Sequence, residues 1–180
     1  MIKVNLSGKG KKSSPYLIND IKDLMYLSKS PILWDKCLHF HLLSDVDANG
    51  CEFTPVGWES VQFRGIFEGN GHKIKNLTIN LPQIHGVGLF GHIGTDAEIK
   101  SLTLLDVNIC GKDGCGAIVG CNEGGTVMFC KVESGTIKSI SKTEEAAIGT
   151  CVGANYNGGL VRNCIGKATL ITADKRRLFN

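Results

Sequence analysis

Three small constellations in this 180-residue chain carry side chains that could do chemistry. Cys37, His39 and His41 alternate along one stretch, which puts them on one face of a strand at a spacing able to grip zinc. No fourth convergent ligand accompanies them, so a polar outer face without metal is expected. Asp45-x-Asp47-x-Asn49-Gly50 copies the start of a calcium-binding loop. Its twelfth position, where a bidentate Glu belongs, is Val56. A strand running into a turn is expected there. His72, in Gly-Asn-Gly-His, belongs to a turn. His85 and His92 flank Leu89-Phe90-Gly91 and have no identifiable acid partner in the sequence.

Eight cysteines stand at 37, 51, 110, 115, 121, 130, 151 and 164. There is no Cys-x-x-Cys, and Cys110, Cys115 and Cys121 lack the paired spacing of a zinc ribbon. The N-terminus has no apolar core of signal-peptide length, so reduced, buried thiols in a cytoplasmic protein are expected. The alternative is a trimmed fragment of a secreted or surface protein. No run of 18 apolar residues is present, so no membrane-spanning helix is expected.

Hydrophobic residues make up 42% and charged residues 21%, which excludes a disordered chain. Lys plus Arg exceeds Asp plus Glu by 20 to 17, too weak a balance to argue for nucleic acid. Glycine is the outlier at 23 residues, about twice average usage.

The elements that position these residues follow from a repeat. Ile74-Lys75-Asn76-Leu77, Ile99-Lys100-Ser101-Leu102, Val127-Met128-Phe129-Cys130 and Val161-Arg162-Asn163-Cys164 share an aliphatic-x-x-Leu/Cys pattern. Gly88-Leu89-Phe90-Gly91, Ala117-Ile118-Val119-Gly120 and Thr150-Cys151-Val152-Gly153 share a small-apolar-apolar-Gly pattern. Short strands recurring with glycine turns predict stacked coils, with equivalent side chains piled in ladders. Ile74, Ile99, Val127 and Val161 would form one ladder, and Leu77, Leu102, Cys130 and Cys164 the next. Lys75, Lys100, Met128 and Arg162 would share an outward column. An antiparallel sandwich is the competing reading, but it does not require one tetrapeptide at one phase. Before the repeat, Asn19 or Asp20 can cap a helix through Ser28, with Ile21, Leu24, Met25 and Leu27 inward. Such a helix would cover the first coil.

The stretch Phe63-Arg64-Gly65-Ile66-Phe67-Glu68-Gly69-Asn70-Gly71-His72-Lys73-Ile74-Lys75-Asn76-Leu77 resembles the entry segment of GLUG-motif proteins. Ser14-Pro15-Tyr16-Leu17-Ile18, Asp45-Val46-Asp47 and Thr54-Pro55-Val56-Gly57 resemble it too, and Gly88–Gly91 and Ala117–Asn122 look like the glycine motif itself. The resemblance implies a right-handed parallel β-helix, usually within a long secreted or surface-attached bacterial protein, often an adhesin. It implies no catalytic residues.

The expected architecture is all-β: one short right-handed parallel β-helix of about four coils with an N-terminal helical cap. Residues 1–60 form the cap, continuous with the β-helix of 61–180. No acidic column appears, and Glu144-Glu145 fall in a variable loop, so no lyase or glycosidase constellation is visible. The expected function is a non-enzymatic binding protein without cofactor. Its favoured form is an intracellular bacterial or phage protein that binds and blocks a host protein. The alternatives are a fragment of a secreted or surface adhesin, and a carbohydrate-binding or carbohydrate-cleaving β-helix. Arg162, Lys175, Arg176, Arg177 and Phe179 are the candidate partner-binding residues, at an end expected to support homodimerisation.

Overall fold

The computed structural model describes residues 6–143 and 146–173. Its helix spans Ile21–Ser28. It begins where it does because Asp20 is extended and accepts hydrogen bonds from the Lys22 and Asp23 amides, at 2.8 and 3.0 Å. Leu24 and Leu27 are buried, and Ile21 and Met25 pack at the edge of the same core. Trp34 is also buried, and its indole N–H donates to the Leu27 carbonyl at 2.8 Å.

A short 3-10 helix, Pro31–Leu33, follows, and the described residues beyond it are strand and turn. Every pairing between the strands is parallel. Four sheets of six, five, four and three strands result. One coil visits each in turn through Ile66–Glu68, Lys73–Lys75, Thr78–Val87 and Phe90–Ile93. The next coil runs through Glu98–Lys100, Thr103–Leu105, Val107–Cys115 and Val119–Glu123. The third runs through Thr126–Met128, Lys131–Val132, Gly135–Ser139 and Val152–Tyr156. The last consists of Leu160–Arg162, Ile165–Gly166 and Thr169–Thr172. The chain is therefore a parallel β-solenoid of about four turns. Before it, Tyr16–Ile18, His39–Leu42 and Val46–Asp47 pair onto the same sheets.

The ladders differ from the expected phase in the first coil. Ile99 stacks on Phe67, not on Ile74, and the inward column reads Phe40, Phe67, Ile99, Val127, Val161. Ile74 lies in the five-stranded sheet, opposite Val46 and Leu104. Leu102, Cys130 and Cys164 do fall in step, since the residues after them pair. Leu77 does not join them, and Gly69 takes that place. A Cβ on Gly69 would stand 2.5 Å from the Ser101 carbonyl oxygen and 2.8 Å from the Leu102 side chain. The outward column accordingly contains Glu68 where Lys75 was expected: His41, Glu68, Lys100, Met128, Arg162. The Lys100 ammonium lies 3.6 Å from Glu68 and 3.4 Å from Glu98.

The glycine tetrapeptides do stack as read, with Phe90, Val119 and Val152 in one column. Their last glycine has a steric cause. A Cβ on Gly120 would stand 2.5 Å from the Val87 backbone nitrogen, and one on Gly153 would stand 2.6 Å from the Cys115 backbone. Neighbouring backbone passes too close for any side chain there.

Candidate functional site

The residues singled out in the sequence separate into three groups in space. The first is structural. Cys37 has φ of 69° and precedes the strand His39–Leu42, so the three candidate zinc ligands do not share a strand face. No cluster of three metal-ligating side chains occurs among the described residues. Asp47 accepts from the Asn49 amide at 3.0 Å and from the Asn76 side-chain amide at 2.8 Å. Asp45 accepts from the Lys73 amide at 2.9 Å and lies 3.4 Å from the His72 ring. These bonds hold both carboxylates below the usual carboxylate range: for Asp47 the Asn76 bond dominates, for Asp45 the Lys73 amide. The would-be calcium loop thus stitches neighbouring coils, and His72 serves the same turn.

The second group makes a groove. His92 is the third residue of the strand Phe90–Ile93 and is only 5% exposed. Its acid partner comes from the next coil, where Cys121 stacks on His92 and Glu123 follows two residues on. The His92 Nδ1 lies 2.8 Å from Glu123 Oε1, and the Gln62 amide donates to Glu123 Oε2 at 2.9 Å. The Arg64 guanidinium donates in turn to the Gln62 carbonyl oxygen at 3.4 Å. Tyr156 stacks on Glu123 from the coil beyond. His85 lies 3.9 Å from Asp113, also one coil on. Both histidines therefore have acid neighbours, contrary to the sequence reading. The pairs are invisible along the chain because they span 31 and 28 residues, one coil each.

Glu59, His85, His92, Cys121, Glu123, Tyr156 and Asn157 line this groove. A second hollow adjoins it and adds Trp58, Ser60, Gln83 and Ile84. Burial, helped by the carboxylates of Glu123, Asp113 and Glu59, pushes the Cys121 thiol up to about 12. Cys121 is thus a protonated thiol beside a locked imidazole, not a thiolate nucleophile. Both Glu123 oxygens are engaged, and Glu59 is the other carboxylate lining the groove.

The third group lies at the end of the stack. Arg162 is exposed on the last strand of the six-stranded sheet and takes no part in the groove. Lys175, Arg176, Arg177 and Phe179 lie outside the described residues, as do Glu144 and Glu145. The last coil also presents Leu160, Val161, Ile165 and Ile171 to solvent. All eight cysteines are free thiols.

No protein-family model matches the chain. It is 30% identical over 163 residues to halomucin of Haloquadratum walsbyi, covering 86% of this chain and 2% of that protein. It is 31% identical over 141 residues to a protein of Evansella cellulosilytica provisionally named a Gly-rich membrane protein, covering 71% of this chain and 15% of the other. The chain therefore matches small portions of long proteins. Among solved structures, a Bacteroides ovatus protein provisionally described as an immunoglobulin A1 protease superposes with a TM-score of 0.64. That match covers 94% of this chain and 65% of the other at 17% identity, and it shows the shared solenoid fold. No helix among the described residues is long and apolar enough to cross a membrane.

Proposed function

We propose that this chain is a GLUG-type β-solenoid module of a surface-displayed protein, and that it binds glycans without cleaving them. The groove along successive coils carries the reading. Trp58 and Tyr156 offer ring faces for the apolar face of a sugar ring. Glu59, Gln83, Asn157 and His85 supply donors and acceptors suited to paired hydroxyls. The parts come from separate coils of one rigid stack, so the groove is held in shape before any ligand arrives.

Surface display is supported by the company of the chain. Halomucin carries mucin in its name, and the second relative is named a membrane protein. Both favour the adhesin alternative over an intracellular inhibitor of a host protein. The carboxylates support a binding role rather than hydrolysis. Glycoside cleavage uses two of them, and Glu123 is committed through both oxygens to His92 and Gln62.

A glycan array probed with the full chain tests this. Saturable binding to a subset of glycans is expected, weakened at least about tenfold by Glu59→Ala and by Tyr156→Ala, each worth roughly 1.4 kcal/mol or more of binding. Both residues are exposed, so neither change should disturb folding. Absence of glycan binding, or binding indifferent to both changes, overturns the proposal. Newly formed sugar reducing ends during incubation would overturn its non-enzymatic part.

A further inference from the structure

The groove is one-sided in charge. Glu59 lines both of its hollows, and Glu123 lines one of them. Asp113 adds a third carboxylate, 3.9 Å from the ring of His85, which lines both hollows. Neither hollow has a Lys or Arg among its described lining residues. The Arg64 guanidinium connects to Glu123 through Gln62, and it lines a separate hollow with Trp34 and Asp35. Cys121, in the groove wall, feels the sum. After burial, the charges that oppose its ionisation are all carboxylates: Glu123, then Asp113, then Glu59. The three act on one place, although Glu59 precedes the first coil and the other two belong to the second.

Of these carboxylates, Glu59 is the one placed to meet a ligand. Glu123 gives both oxygens to His92 and Gln62. Glu59 is exposed, in a tight turn that Trp58 and Val61 close with two backbone hydrogen bonds of 2.9 and 3.1 Å. The turn is tied to the strand Phe90–Ile93. The His92 amide donates to the Gly57 carbonyl at 3.3 Å, and the Phe63 amide donates to the His92 carbonyl at 3.0 Å. Glu59 thus stands on a fixed support beside Trp58.

Resting on the glycan reading of this groove, we infer that its ligand is an amino-sugar polymer, built of hexosamine units with free, protonated amines. An ammonium on the sugar pairs with Glu59 while the apolar face of the sugar lies on an aromatic ring. The ring faces of Trp58 and Tyr156 favour a cation as well. Glu123 and Asp113 contribute field rather than contact. An N-acetyl group removes the positive charge, so Glu59 is desolvated without a counter-ion. A uronate or sulfate meets like charge. The chain as a whole is weighted the other way. Its formal net charge is +3, which attracts polyanions and repels polycations at long range. A preference for the amine-bearing glycan therefore reports the local site, not bulk attraction.

Titration calorimetry of the full chain at pH 6.5, where such amines are largely protonated, tests this with three hexamers. They are β-1,4-linked glucosamine, its fully N-acetylated form, and galacturonate. The glucosamine hexamer is expected to bind at least about tenfold tighter than the N-acetylated one, and galacturonate not measurably. Added salt should narrow the first difference. Glu59→Gln keeps the shape of the side chain and removes its charge. It should bring the ratio below about threefold with the circular dichroism spectrum unchanged. Equal affinity for the first two hexamers, or tighter binding of galacturonate, overturns the inference and leaves the glycan reading standing. A preference that survives Glu59→Gln does the same. Silence from all three hexamers also overturns it, and the glycan array then decides whether the broader reading falls too. The ratio in the unaltered chain needs no substitution, so it decides the matter even where the variant fails to fold.

Discussion

Val127 and Val161 are the same residue in the same column, one coil apart, yet Val127 is fully buried and Val161 is 42% exposed. Nothing local separates them. Val127 has a coil on each side, and Val161 has a described neighbour on one side only. The two ends of the stack differ in just this respect. At the N-terminal end, the helix Ile21–Ser28 and Trp34 lie against the strands, and the rings of Tyr16, Phe40, Phe63 and Phe90 make successive contacts 5.1 to 5.9 Å apart. At the C-terminal end, the inward residues shrink. Phe67 gives way to Ile99 and then valine, and Leu102 gives way to Cys130 and Cys164. In a solenoid, burial belongs to the neighbours as much as to the residue, and apolar content alone does not close an end.

Substitutions along the columns should expose that gradient. The largest effect is expected for Leu102→Asp in the central stack. An unpaired carboxylate buried there costs several kcal/mol, comparable to the roughly 5 to 15 kcal/mol that holds a domain together. Circular dichroism should find this variant unfolded at 25 °C. Lys100→Ala, on the outward face two residues away, should retain the native spectrum. Next comes the valine pair. In urea denaturation Val127→Ala should lose about 1 to 3 kcal/mol and Val161→Ala under about 0.5. Equal losses would erase the proposed difference between centre and end. The capped end gives a loss between those of the two valines: Asp20→Ala, which removes both helix-capping bonds, should cost about 1 kcal/mol in the same assay.

Much of this architecture was legible from the sequence. The glycine tetrapeptides stack at the phase their alignment implies, and the helix begins at its predicted cap. The first-coil phase was not legible, for a geometric reason. The coils turn two kinds of corner through left-handed residues. Ser101, Phe129 and Asn163 serve one corner, with φ of 54°, 54° and 52°, and Asn76 and Asp106 serve another, with φ of 58° and 54°. Strand, corner and inward residue look alike at both, so Ile74-Lys75-Asn76-Leu77 imitates Ile99-Lys100-Ser101-Leu102 while lying one sheet further on. The groove was hidden by the same arrangement, because its partners are neighbours across coils. Aligning Leu89-Phe90-Gly91-His92 with Ile118-Val119-Gly120-Cys121 sets Cys121 on His92 and Glu123 just beyond, and this is the signal that could have revealed the pair. The Cys130–Cys164 column was legible, because both residues end the same recurring tetrapeptide.

Hydrogen exchange followed by mass spectrometry tests the asymmetry of the stack most directly. Backbone amides in parallel ladders exchange slowly only where the stack stays closed around them. The central strands Glu98–Lys100 and Thr126–Met128 should exchange slowest, with the helix Ile21–Ser28 and His39–Leu42 close behind. Leu160–Arg162 and Thr169–Thr172 should exchange fastest among the strands. Protection in the last coil equal to that of the central coils would contradict the account, as would a helix that exchanges faster than the last coil.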